Sequence, residues 1–206
     1  GGQKLYTRAG AFYSDKDGNV VDVGGNNLQG YNAQDGVVQT GVLTNLKIDS
    51  ANLQPKATSK IAETVNLNSS APQATITPFD PSNVKSYNYT FNTDVYDSLG
   101  NAHQMNQYFV KDATANSWTM HTTIDGRNPS DPTATTPLVN TLSFKSDGSL
   151  IVPAQGDVAG GLGINADKSF NLAGWVPSTR GADGTWTPNG ATANAGGVAL
   201  DMLATT

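Results

Sequence analysis

The stretch VYDSLGNAHQMNQYFVK, residues 95–111, reads as two strands joined by a tight turn. The lead-in, residues 87–97, is rich in aromatic and β-branched types: Tyr87, Tyr89, Phe91, Val95 and Tyr96. Ser98-Leu99-Gly100-Asn101 supplies the turn chemistry, because Gly and Asn tolerate positive φ. His103, Met105, Gln107, Phe109 and Lys111 then alternate with Gln104, Asn106, Tyr108 and Val110, the period of a returning strand.

Working outward, the same punctuation recurs. Residues 5–13 are a strand candidate, Asp15-Lys16-Asp17-Gly18-Asn19 a turn, 20–23 a short strand, 24–27 another turn and 28–31 a third strand. Residues 37–48 are extended or irregular. Residues 61–68 alternate, with Ile61, Glu63, Val65 and Leu67 on one face. Residues 117–124 place Trp118, Met120, Thr122 and Ile124 on one face; 142–144 and 150–152 form a hairpin about Asp147-Gly148; 198–203 alternate as a closing strand. The glycine-rich stretches 155–174 and 180–197, and the Pro/Asp/Thr-rich 126–137, read as loops. Residues 69–86 hold Pro72, Pro78 and Pro81, and proline cannot donate to a ladder, so a linker is expected there. No long helical period appears. The pattern predicts an all-β chain: an antiparallel β barrel or sandwich over 73–206, joined to a smaller β domain over 1–72.

Composition narrows the function classes. Charged residues are 14% of the 206, against about 25% in an average globular domain. A surface made polar by Thr, Asn, Ser and Gln suits secreted β proteins and assembling structural proteins. Net charge is −5 and no basic cluster exists, which argues against nucleic acid as a partner. The absence of cysteine excludes disulfides, thiolate catalysis and Cys-ligated metals. Apolar runs fall far short of the roughly 20 residues of a membrane-spanning helix, and no membrane partner is expected. No cleavable leader is visible, and Gly1 is not a natural start, so the chain is expected to be an excised fragment.

Candidate chemistry is sparse. Asp15-Lys16-Asp17-Gly18-Asn19 begins like a calcium loop, but the sixth and twelfth positions hold Val20 and Asn26 in place of Gly and Glu, which favours a plain turn. His103 and His121 are the two histidines, each on an expected strand without carboxylates at zinc spacing. Asp94 and Asp97, three apart on one strand, point to opposite faces and would not converge on a sugar. Asp97 fits better as a turn initiator. Trp118, Trp175 and Trp186 could form a carbohydrate platform, although aromatic residues in β domains more often serve core or interface. Asn68-Ser69-Ser70 and Asn88-Tyr89-Thr90 match a glycosylation sequon. No catalytic residue, cofactor site or metal site is expected.

The 95–111 hairpin resembles a segment that opens the outer domain of the bacterial flagellar hook protein family. Tyr6-Thr7-Arg8-Ala9-Gly10-Ala11-Phe12, followed by DKDGNVV at 15–21 and LQGY at 28–31, resembles a pattern shared by hook and rod proteins of the flagellar axis. VNLNSSAP at 65–72 resembles the exit from the inner domain. Leu142-Ser143-Phe144 with Asp147-Gly148 resembles a later outer-domain hairpin.

The resemblance implies a structural subunit that polymerises into the curved tube joining rod and filament, a universal joint transmitting motor torque. It implies type III export and an extracellular place in the flagellum. Other hook subunits, rod proteins, hook–filament junction proteins and the hook cap are the implied partners. Relative to that family, the terminal helices and the return leg of the inner domain are expected to lie outside this chain, which alone should not form tubes. The alternatives are a distal rod protein and an extracellular carbohydrate-binding β module.

Overall fold

The computed structural model describes residues 4–8, 10–34, 37–48, 54–156 and 158–206. These form seventeen short strands and, among the described residues, no helix. The chain divides into two compact units, Gly1–Gln54 and Pro55–Thr206.

In the first unit, β1 (Tyr13–Ser14) pairs antiparallel with β2 (Val20–Val21). Next come β3 (Gln29–Gly30), β4 (Ala33–Gln34), β5 (Val37–Val38) and β6 (Thr44–Asn45), with β3 paired to β6 and β4 to β5. Backbone bonds from Val20 to Leu46, Leu46 to Leu28 and Leu28 to Val20 tie the pieces together. The expected strand over 5–13 is confined to Tyr13 and Ser14 among the described residues, and Ala9 of that stretch lies outside them. This unit buries little of its apolar surface: Tyr6 is 96% exposed, Val23 83% and Leu5 72%.

The second unit begins with β7 (Lys60–Ala62) and continues through a five-strand meander: β8 (Tyr89–Tyr96), β9 (Ala102–Lys111), β10 (Ser117–Ile124), β11 (Leu138–Phe144) and β12 (Leu150–Ile151). Then follow β13 (Gly163–Ile164), β14 (Phe170–Leu172), the hairpin β15 (Ser178–Arg180) and β16 (Trp186–Pro188), and β17 (Val198–Asp201). A four-stranded sheet runs β13-β14-β17-β7, with β7 parallel to β17. Inward residues of both sheets, among them Val95, Met105, Phe109, Trp118, Met120, Leu142, Phe170, Leu172 and Leu200, form one apolar cluster. Each such side chain contributes about 1.5–3 kcal/mol on full burial. The all-β architecture expected from the sequence is what the chain adopts.

Six hairpin turns share one backbone solution. In each, the first residue donates to the carbonyl of the fifth and the fourth donates back to the first: Asp15–Asn19, Asp22–Asn26, Asp97–Asn101, Lys145–Ser149, Asn165–Ser169 and Gly181–Thr185. The fourth residue takes positive φ and is Gly at five turns; Lys168, at +67°, is the exception. In the first three turns the opening aspartate also accepts from the backbone N–H groups two and four residues on.

Two expectations need correction. Residues 155–174 and 180–197 are not merely loops, because they carry β13–β14 and β16. Their strands are two or three residues long, so glycine-rich connectors mask them, yet Leu162, Ile164, Phe170 and Leu172 are core. The proline-rich stretch before residue 87 is not a free linker. Phe79 stacks on His121 at 4.0 Å and lies 5.2 Å from Tyr108, on the outer face of the five-stranded sheet. Asn88 Nδ2 donates to the Pro72 carbonyl at 2.7 Å, and Ser86 is buried among bonds to Asp80 and Asn83. Prolines serve here because a strap lying over a sheet needs no ladder donors. Residues 55–72 lie in the second compact unit, since β7 joins β17 and Leu67 enters its core.

Candidate functional site

A buried polar cluster sits where the β8–β9 turn meets the end of β10. Asp97 is fully buried and accepts from Leu99 N, Asn101 N and Asn101 Nδ2, each at 2.9 Å. Asn189, from the loop after β16, donates to Asp97 Oδ2 at 2.9 Å. His103 Nε2 lies 3.3 Å from the same oxygen, and its Nδ1 lies 2.7 Å from Asp125 Oδ2. The other Asp125 oxygen accepts from Gln104 N at 2.9 Å. Trp175 meets the His103 ring edge-on at 5.2 Å.

Burial pushes the Asp97 carboxyl up, but the Asn101, Asn189 and His103 bonds outweigh it and hold it well below the usual carboxylate range. The imidazole bridges the two carboxylates through its two ring nitrogens. What the cluster joins is structural: a turn, a strand end and a distant loop. Ser98, the nearest hydroxyl in sequence, accepts from Thr192 N at 2.9 Å, while Ser98 N donates to the Thr192 carbonyl at 3.0 Å. The hydroxyl is therefore spent on the same latch.

The other residues singled out from the sequence lie apart. Asp94 is exposed on β8 while Asp97 is buried, so the two do not converge. Asp15 closes its own turn, accepting from Asp17 N, Asn19 N and Asn19 Nδ2. His121 is far along β10 under Phe79 and is kept less basic by burial. Among the described residues, no group of three His, Asp or Glu side chains is placed to hold a metal ion. Trp118 and Trp175 are 1% and 5% exposed and belong to the core, which leaves Trp186, with Arg127 over its ring at 5.6 Å. A three-tryptophan sugar platform is thus not presented. The Asn88 side chain is held by Pro72 and Lys111 N. Sequence reading missed Asn189 as a partner of Asp97 and Asp125 as a partner of His103, although the D-x-x-G-N spelling at 15–19, 22–26 and 97–101 signals the turn that organises them.

Comparison with known proteins turns on two domain families. Residues 66–206 match the flagellar basal body protein FlaE D2 domain, and residues 1–77 match the flagellar hook protein FlgE/F/G D1 domain. The flagellar hook protein FlgE of Escherichia coli (strain K12) is 38% identical over 153 residues, 73% of this chain and 37% of that protein. The chain belongs to the flagellar hook protein family. A FlgE from Salmonella typhimurium is also 38% identical, over 72% of the chain and 37% of its own length. That of Rhizobium meliloti is 31% identical over 83% of the chain and 43% of its own length. A solved 32 kDa fragment of FlgE from Caulobacter crescentus aligns with 57% of this chain and 38% of the fragment, at 14% identity and a TM-score of 0.32. The chain spans about two fifths of the length of the curated relatives it matches.

Hook proteins are a structural family, not an enzyme family. The His103 cluster fits that setting as a latch that fixes the tip of the β8–β9 hairpin. In the first unit Leu5, Tyr6, Val23, Val37, Val42 and Ile48 are each more than half exposed.

Proposed function

We propose that this chain is a working part of a flagellar hook subunit, which polymerises with copies of itself into the curved tube that passes motor torque to the filament. The observation that carries the reading is the match to the two hook domain families over the whole chain, supported by relatives 38% identical. Residues 1–72 serve as part of the inner hook domain and 73–206 as the outer domain. The family matches at 1–77 and 66–206 support this division, although β7 packs with the second unit. The subunit does no catalysis. It is exported through the type III apparatus and works outside the cell, meeting rod proteins at one end, junction proteins at the other and the hook cap during assembly. A sparsely charged surface rich in Thr, Asn and Gly suits contacts that must slide and re-form at every turn of a rotating joint.

These 206 residues hold no cysteine, so an introduced one can be read against the unsubstituted protein as control. Thr135→Cys, in an exposed loop, is introduced into the full-length protein in its own bacterium, and intact cells are treated with a membrane-impermeant maleimide dye. A single bright spot at the base of each filament is expected. Labelling of the whole envelope, or none on motile cells, would overturn the reading.

A further inference from the structure

Glu63 is 5% exposed, and neither oxygen of its carboxyl has a hydrogen-bond partner among the described residues. It directly follows β7, and its N–H donates to the Asp201 carbonyl at 3.0 Å. The segment alternates, so Glu63 turns to the same side as Leu67, which is core. Gln107 of β9 lies beside it. Gln107 pairs across the ladder with Thr122 of β10, and both are fully buried. Gln107 Oε1 and Thr122 Oγ1 also lack partners, while Gln107 Nε2 reaches Met120 Sδ at 3.5 Å. Unpaired acceptors in an apolar core are costly, and one additional proton would satisfy two of them at once.

Among the described residues, no neighbouring charge takes the place of that proton. On β9, His103 and Lys111 share the inward phase of Gln107 but lie four positions away on either side. His103 is held by Asp97 and Asp125, and Lys111 lies over the Trp118 ring. On β10, Thr122 is flanked inward by Met120 and Ile124, and His121 stacks on Phe79 at the opposite face. On β17, Asp201 pairs with Lys60 at 3.3 Å. Burial accordingly pushes the Glu63 carboxyl up to about 7, with Gln107 offsetting part of the rise.

We propose that Glu63, buried with both carboxyl oxygens unpaired, is protonated in the folded domain, forming a proton-dependent clasp that seats residues 60–67 in the core. Loss of the proton leaves a bare carboxylate facing acceptors, and the segment gains by swinging toward water. The native state holds a proton that the unfolded chain releases near pH 4.5. Below that pH the clasp's contribution is complete. From there to about pH 7 the folding equilibrium constant falls by up to tenfold per pH unit, and above it the contribution is gone.

The test is denaturant unfolding of the 206-residue chain between about pH 4.5 and pH 8, wild type against Glu63→Gln, whose amide donates as the neutral acid does. A wild-type stability that declines across this range relative to the variant, by tenfold or more in total, is expected. Equal slopes overturn the clasp. If Glu63→Gln does not fold, infrared spectra of wild type with isotope-labelled glutamate decide. A carboxylic-acid carbonyl band persisting at about pH 6 supports the clasp, and complete ionisation by then overturns it.

Discussion

Asn189 donates from Nδ2 to Asp97 Oδ2 at 2.9 Å, joining the β8–β9 turn to a loop 92 positions later in the chain. The turn would form on its own, since its Asp, Gly and Asn satisfy the local bonds. The long-range bond is what fixes the hairpin tip to the closing part of the domain. Asp97→Ala strands donors from Leu99, Asn101, Asn189 and His103. It is expected to cost about 3 kcal/mol in urea unfolding. Asn189→Ala, which leaves the local bonds intact, should cost about 1 kcal/mol, with the double variant losing less than the sum.

Asp97 also sets an acid limit. Its folded pKa lies below its unfolded value, so its contribution is complete above about pH 4 and is lost as pH falls through the folded value. Thermal melts between about pH 2 and pH 5 should show wild type losing stability more steeply than Asp97→Asn. Parallel curves would assign the acid sensitivity elsewhere.

Lys168 occupies the positive-φ position that glycine fills in the other five turns of its kind. Replacing it with glycine relieves the crowding of Cβ against its own carbonyl. A gain of about 1 kcal/mol is expected, visible as a raised Tm.

These turns also mark how far the sequence could be read. The 95–111 hairpin was legible because long strands alternate visibly about a turn with distinctive chemistry, and β8, β9 and β10 follow it closely. The 61–68 alternation likewise announced the inward set that includes Glu63 and Leu67. Strands β13 to β16 were not legible, because two or three residues give no period to detect. The strap was misread for a different reason: prolines at 72, 78 and 81 say that a segment donates little, not that it is free. Phe79 alone carried the sign of docking. Asn189 and Asp125 were beyond reach, since contacts at long sequence separation leave no local pattern.

Phe79→Ala tests the strap. Losing the ring that stacks on His121 should cost about 1–2 kcal/mol and open residues 72–86 to proteases. His121 is held less basic by burial, so uncovering it should raise its pKa toward the ordinary value, as read by NMR titration. An unchanged titration would mean that the cover over His121 comes from elsewhere.

The hook assignment is tested most directly by immunogold electron microscopy of intact bacteria, using antibody raised against this 206-residue chain. The account predicts gold confined to the short curved segment between cell surface and filament. Gold scattered over the cell surface, or absent from flagella, would contradict it.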